Sequence, residues 1–212
     1  MTSYTDAQRQ LAAAFIGSSH FADEQCYIDL GKRLPNRFGA GSRFDASALE
    51  DHSRRFRLDI YAFPGQSASQ ICVNAQSRMT SVPLHSYHRI YIMAGSNVDV
   101  YTRKAAEKSA KQILRLYTSM TKYLSPGGKV KVLCPPPRAN VRYTVYLNHL
   151  HGALLHKLPK SVYNKTHRCK TLFSGGTQLT AAPGVLERHG VHLSADGYIE
   201  LAKFLTALES KG

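Results

Sequence analysis

The stretch that most constrains the fold is a short apolar run near the start of the chain, Leu11–Ile16, which stops at Gly17. An unbroken apolar run of this length is typical of a strand that is buried on both faces of a parallel sheet. Ser18, Ser19 and His20 follow it directly. Ligands bind at the carboxyl ends of strands in open α/β sheets, so either serine is a candidate nucleophile. Serine is also common after strands as a turn residue, and this stretch alone leaves both interpretations open.

The rest of the chain alternates between strand-like and helix-like segments. Further strands are predicted at Phe56–Phe63, His88–Gly95, Lys129–Cys134 and Cys169–Phe173. Helices are predicted at Phe21–Leu34, Ser67–Met79, Thr102–Leu124, Tyr143–Leu158 and Ser194–Leu208. This alternation predicts an α/β fold, a three-layer α/β/α sandwich around a five-stranded parallel sheet. A length of 212 residues suits one domain spanning residues 1–212.

The chain is strongly basic, with a net charge of +14 and an isoelectric point near 9.8. An excess of this size favours anionic partners such as nucleic acid or another polyanion. The longest predicted helix carries five basic residues at nearly the same period on a face other than its apolar stripe, namely Lys104, Lys108, Lys111, Arg115 and Lys122. We interpret them either as a solvated outer face or as a ridge that binds a polyanion.

Other sequence features narrow the class of protein. No window approaches the roughly 18 apolar residues of a membrane span, and no secretory signal is visible at the N-terminus. The four cysteines are scattered, which predicts buried thiols in the cytoplasm or another reducing intracellular compartment. His189 and His192 lack the third-ligand pattern of a zinc site, and no Gly-Lys-Ser/Thr phosphate loop occurs. We therefore predict no metal and no cofactor.

Four polar segments fall at or beside the predicted strand ends. They are Gly17 to His20, Pro64 to Gln66, Gly95 to Asn97, and His189 to Gly197. Acyl transfer requires a hydroxyl nucleophile, a base that takes its proton, and donors for the oxyanion. Serine, histidine, a glycine amide and an asparagine amide supply these parts. The order of the segments therefore predicts an acyl-transfer site.

The chain resembles the SGNH (GDSL-like) hydrolase superfamily. These four segments carry the resemblance, and together they span nearly the whole length of the chain. The resemblance implies a flavodoxin-like sheet, with Ser19 as nucleophile and its own N–H as one oxyanion donor. It further implies that Gly65 and Asn97 supply the other oxyanion donors and that His192 is the general base. Pro137 and Arg138 resemble a Pro-Arg pair that follows the fourth strand in some Gly-Asp-Ser-His branches of the superfamily, which makes Arg138 a supporting residue.

Two positions depart from the pattern of that superfamily. Ser18 replaces the aspartate of the first block, and we expect this change to affect loop support more than chemistry. His189 replaces the aspartate that would orient the catalytic base, and a histidine does not reliably supply that negative charge. Ser19 and His192 remain chemically competent as a dyad or as an incomplete triad. His20 is expected to pack near the loop as a further supporting residue.

Two functions therefore stand at this point. The first is a serine esterase or acetyl-hydrolase that acts on a small ester through an acyl-serine intermediate. The second is an SGNH-like domain whose catalysis has decayed and which serves as a nucleic-acid-binding or structural module. The missing aspartate at position 189 and the net charge of +14 favour it. The two functions can coexist, since related esterase domains occur in some retroelement and viral proteins. The oligomeric state is open.

Overall fold

The computed structural model describes residues 11–18, 56–164, 181–186 and 188–209. Two predicted elements, the helix Phe21–Leu34 and the strand Cys169–Phe173, lie outside the described residues. The elements on either side of them define the sheet and the order of its strands.

In the part of the chain that the structure describes, five parallel strands form one sheet in the order β2-β1-β3-β4-β5. Four are full strands and the fifth has two residues: β1 Leu11–Gly17, β2 Phe56–Ala62, β3 Tyr87–Met93, β4 Leu124–Leu133 and β5 Tyr163–Asn164. This order is that of flavodoxin-like sheets. Strand β1 is paired on both sides and its residues 12–17 are buried, which explains why its sequence is apolar without alternation.

Among the described residues, four helices follow or connect the strands, namely α1 Ala68–Met79, α2 Arg103–Met120, α3 Val141–Lys157 and α4 Ala195–Glu209. Helices α1, α2 and α3 pack side by side, because α2 contacts both of the others. Polar caps begin three of them: Ser67 with a capping box, Thr102, and Asn140. The parallel α/β architecture agrees with the sequence prediction.

Helix α2 is shorter than predicted and ends at Met120. A 3₁₀ turn, Thr121–Tyr123, follows it and leads straight into β4. Leu124, the predicted last residue of the helix, is instead the first residue of β4 and pairs with Tyr87 of β3. Tertiary pairing outweighs helix propensity at this boundary.

The core is rich in tyrosine as well as in aliphatic residues. Four tyrosines are among its largest fully buried side chains, namely Tyr87, Tyr91, Tyr143 and Tyr146. Phe15 of β1 stacks on Tyr91 of β3 with ring centroids 4.8 Å apart. Cys72 and Cys134 are buried and form no disulfide. No helix among the described residues has the length and apolar character that crossing a membrane would need.

Candidate active site

The carboxyl end of β1 is joined to that of β3 through Ser18. The Ser18 main-chain N–H donates to the Met93 carbonyl at 3.2 Å, and the Ser18 Oγ accepts a hydrogen bond from Ser96 Oγ at 2.9 Å. Both serines are 1% exposed. The Ser18 hydroxyl is therefore part of the packed sheet end and is not available to attack a substrate. Ser19 remains the candidate nucleophile, although Ser19 and His20 lie outside the described residues.

Gly65 lies in a tight turn directly after β2. Its φ is +75°, and Gln66 N–H closes the turn on the Phe63 carbonyl at 3.2 Å. Proline at the second position and a left-handed glycine at the third are what a type II turn requires. Gly65 is exposed, and its N–H has no acceptor within the part of the chain that the structure describes. This N–H is therefore free to donate to a ligand.

Asn97, which follows β3, reaches across to this turn. Its Nδ2 donates to the Gln66 carbonyl at 3.3 Å, and its Oδ1 accepts from Arg138 Nη2 at 3.0 Å. A carbonyl only accepts and a guanidinium only donates, so the two contacts together settle which end of the amide faces which partner. One of the two Nδ2 hydrogens is used in this way, which leaves the other for a ligand.

Arg138 follows β4 and binds the oxygen of the Asn97 amide, while the amide nitrogen binds the turn. Its guanidinium lies over the Tyr143 ring, 4.7 Å from the ring centroid, which is within the range of a cation–π contact. Burial raises the pKa of the Tyr143 hydroxyl, so the ring beneath the guanidinium stays neutral. The Nε of Arg138 is buried without a hydrogen-bond partner in the described part of the chain. The guanidinium is thus committed to stacking and to the Asn97 contact.

The segment that carries both predicted histidines is attached to the same loop by its main chain. Ala139 N–H donates to the Gly190 carbonyl at 2.8 Å, and Gly190 has a φ of +65°. An antiparallel bridge between Leu186 and Leu193 closes the segment upon itself. His192 is half-buried and His189 is exposed. The loops after β2, β3 and β4 and the segment before α4 therefore meet through Asn97, Arg138 and Ala139.

Three of the predicted site residues, Gly65, Asn97 and Arg138, thus lie in one connected network. His192 is two residues from Gly190, whose carbonyl joins that network. Sequence reasoning missed the structural roles of Ser96, of the Gln66 carbonyl and of Ala139. The last two act through main-chain atoms, for which the sequence holds no side-chain signal.

The basic residues of α2 are exposed, as the helical period predicts. Lys104, Lys108, Lys111 and Arg115 fall within about 60° of one another around the helix axis, and Lys122 follows in the 3₁₀ turn. The opposite face is buried through Ala106, Ala110, Ile113, Leu116 and Met120. Within the described ranges, no three His, Cys, Asp or Glu side chains converge as a metal site would need.

No protein-family model matches the chain, and no curated protein sequence is significantly similar to it. Solved structures are similar in fold. One is a structure assigned to the lipolytic G-D-S-L family from Desulfitobacterium hafniense DCB-2, with a TM-score of 0.65 at 12% identity over 93% of this chain and 98% of that chain. A member of the lipolytic G-D-S-L family from Veillonella parvula DSM 2008 gives a TM-score of 0.59 at 12% identity over 95% of this chain and 100% of the other.

A third similar structure is AlinE4, an esterase of the SGNH-hydrolase family. Its TM-score is 0.53 at 14% identity, over 95% of this chain and 96% of that chain. The chain therefore has the fold of the SGNH hydrolases, and the predicted three-layer α/β architecture is confirmed. Identities this low establish the fold, while the chemistry must be argued from the residues.

Proposed function

We propose that this protein is a serine esterase of the SGNH type, which cleaves a small carboxylic ester through an acyl-Ser19 intermediate. The observation that carries the proposal is the fixed amide of Asn97. It is held at the carboxyl edge of the sheet, between the Gly65 turn and Arg138, with one Nδ2 hydrogen still available. A donor fixed before the reaction is what an oxyanion site requires, because it needs no reorganisation when charge develops.

In the first half of the reaction, Ser19 Oγ attacks the ester carbonyl while His192 takes the serine proton. The carbonyl π electrons move to the oxygen, which becomes the oxyanion of the tetrahedral intermediate. The N–H groups of Ser19 and Gly65 and the Nδ2 of Asn97 donate to it. When the intermediate collapses, the bond to the alcohol oxygen breaks, and His192 returns its proton to the departing alcohol.

In the second half, water replaces the alcohol. His192 takes a proton from the water as its oxygen attacks the acyl-Ser19 carbonyl, and the same donors hold the new oxyanion. Collapse breaks the bond to Ser19 Oγ, which recovers its proton from His192. The products are a carboxylic acid and the free enzyme. No cofactor or metal takes part in this scheme.

Arg138 acts here as a positioning residue rather than a catalytic one. It binds the Oδ1 of Asn97 and so turns the Nδ2 toward the turn after β2. Residue 189 is a histidine, so the carboxylate that the superfamily pattern places there is replaced. We therefore assign the reaction to Ser19 and His192, acting as a dyad or an incomplete triad, which turns over more slowly than a full triad.

Substitution of the two neighbouring serines tests the proposal. Ser19→Ala should abolish hydrolysis of 4-nitrophenyl acetate, and an organophosphonate probe should label the wild-type peptide at Ser19 but not the variant. Ser18→Ala is the matched control, because the buried Ser18 hydroxyl supports the sheet end. It should lower the free energy of unfolding by about 1 kcal/mol and retain activity. Equal rates in wild type and Ser19→Ala would remove Ser19 from the mechanism.

A second function, polyanion binding, is favoured by the exposed basic stripe on α2. We propose that Lys111, Arg115 and Lys122 contact phosphates of a nucleic acid, independently of catalysis. Substituting all three by Gln should weaken binding of single-stranded RNA and make the slope of log K against log salt shallower by about 2. Filter binding at two ionic strengths measures both effects, and negligible retention of wild type at low salt would overturn this second proposal.

A further inference from the structure

A cleft of about 310 Å³ lies beside the candidate active site. Its described walls come from the first residues of α1, from the loop after β3 and from the first half of α2. Val98, Val100 and Ala105 supply apolar lining, and Lys104, Lys108 and Gln112 supply polar lining. The cleft therefore combines a hydrocarbon-compatible wall with positive charge.

The residues that line the cleft directly follow, in the sequence, the residues that hold the proposed oxyanion donor Asn97. Gln66, whose carbonyl accepts from Asn97, is followed directly by the lining residue Ser67. Asn97 is itself followed directly by the lining residue Val98. If an ester carbonyl binds at Asn97, a group attached to that carbonyl therefore lies next to this cleft. Two of the lining residues, Ser67 and Val98, are the sequence neighbours of Gln66 and Asn97.

The charge of the cleft is set by two lysines one helical turn apart. Lys104 and Lys108 are exposed, and neither is within ion-pair distance of a carboxylate in the described part of the chain. Glu107, which lies between them in sequence, is instead paired with Arg103 at 2.9 Å. Asp99 is the acidic side chain among the described lining residues. Two cations against one anion leave the cleft net positive and suited to a negatively charged ligand.

We propose that this cleft is a specificity subsite for an anionic group, a carboxylate or a phosphate, carried a few atoms from the scissile ester bond. Lys104 and Lys108 bind the anion, while Val98 and Ala105 cover the short carbon chain that links it to the ester. This inference rests on the proposed esterase function for the position of the ester. The binding of the anion itself needs only the cleft.

The kinetic test compares a neutral ester with an anionic one. Wild type should have a KM for mono-4-nitrophenyl glutarate about fivefold below that for 4-nitrophenyl acetate, the gain expected from exposed charge pairs. Lys104→Gln/Lys108→Gln should remove this difference and leave the KM for 4-nitrophenyl acetate unchanged. Lys157→Gln/Lys160→Gln is the control, since it removes the same charge from exposed positions outside the cleft that have no proposed binding role. Equal effects of the two double variants would overturn the proposal.

A binding test separates this inference from the esterase proposal. Titration calorimetry of wild type with glutarate and with glycerol 3-phosphate should show saturable binding of at least one of them, and the tighter ligand identifies the anion. Binding should be lost in Lys104→Gln/Lys108→Gln and kept in Lys157→Gln/Lys160→Gln. If no ester is hydrolysed but this pattern holds, the esterase proposal fails and the subsite stands. If neither ligand binds wild type, the subsite is wrong whatever the activity.

Discussion

The side chain of Asn97 is held at both ends by groups of fixed hydrogen-bonding character, the Gln66 carbonyl and the Arg138 guanidinium. Neither partner can accept the opposite orientation of the amide. An amide restrained in this way presents its remaining N–H in one direction only. The pair Arg138 and Asn97 should therefore behave as a unit in catalysis.

A double-mutant cycle tests this coupling. Asn97→Ala should lower kcat by about 10²-fold with little change in KM, the loss typical for one oxyanion donor. Arg138→Gln should lower kcat in the same way, and adding it to Asn97→Ala should cost almost nothing more. Arg138→Lys, which keeps a donor, should recover part of the rate. Strictly additive losses in kcat would mean that Arg138 does not act through Asn97.

Residue 189 offers a gain-of-function test at the same scale. The His189 side chain is exposed and makes no hydrogen bond to the described residues, so the fold does not depend on it. His189→Asp should raise kcat/KM for 4-nitrophenyl acetate by at least about tenfold, because a carboxylate would orient His192 and stabilise its imidazolium. His189→Asn, of similar size but uncharged, should give no such gain. An equal gain in both variants would point to the loss of the imidazole rather than to the new charge.

The sequence located the turn glycine Gly65 and the side-chain amide of Asn97, because a left-handed turn position favours glycine and an amide side chain is visible in the sequence. Their roles in catalysis stay predictions. The role of Ser18 was ambiguous, because the sequence does not distinguish a serine whose hydroxyl is buried in a turn from a serine that acts as a nucleophile. The contact between Arg138 and Asn97 joins residues 41 positions apart, and such a distance in sequence leaves no local pattern to read.

At the scale of elements, most helix and strand positions follow from the apolar period and from capping residues. Ser67 and Thr102, where two helices were predicted to start, cap the observed helices through their side chains. The end of α2 was misjudged because the register of β3 with β4, which recruits Leu124, is a long-range property. Boundaries fixed by neighbouring strands are not encoded in the local sequence.

The segment before α4 provides a matched pair of glycines for a stability test. Gly190 and Gly184 both have positive φ, at +65° and +78°. A Cβ at Gly190 would collide with Ala139, whereas a Cβ at Gly184 would meet nothing within 4 Å. Gly184→Ala should lower the free energy of unfolding by about 1 kcal/mol, and Gly190→Ala by about 1 to 3 kcal/mol more.

Urea unfolding measures both values, and esterase activity measures the consequence for the site. Gly190→Ala should also lower kcat, because the collision with Ala139 pushes residue 190 away and so shifts the main chain that leads to His192. Gly184→Ala should leave kcat within about twofold of wild type, since the substitution contacts nothing and its strain stays local. Equal destabilisation in the two variants would show that the contact with Ala139 does not restrain the segment.

At the scale of the whole molecule, the tyrosine-rich core links stability to alkaline pH. Burial is the largest cause of a raised pKa at Tyr87, Tyr143, Tyr146 and Tyr163. For Tyr146 the pKa rises to about 12, with its hydroxyl donating to the Gly95 carbonyl and bonded to Ser109. A group whose pKa is higher in the folded state contributes full stability below its unfolded pKa and loses that contribution as pH rises toward the folded value.

Wild type should therefore lose stability between about pH 10 and pH 12, and Tyr146 alone should account for about 1 kcal/mol by pH 11. Tyr146→Phe should be less stable than wild type at pH 8 by about 1 to 2 kcal/mol, since two hydrogen-bonding groups lose their partner. The gap between the two proteins should narrow as the pH rises from 10. Denaturant unfolding across this range measures it, and a constant gap would contradict the assignment to Tyr146.

The hydrogen bond between Ala139 and Gly190 is made entirely by backbone atoms. This contact holds the main chain beside residue 189 and does not involve the side chain at that position. Substitutions of residue 189 should therefore have little effect on folding. Proteins of this architecture can then acquire or discard an acid at that spot by one nucleotide change, since His and Asp codons differ at a single base. Lineages with and without such an acid would be equally foldable, and only selection on turnover would distinguish them.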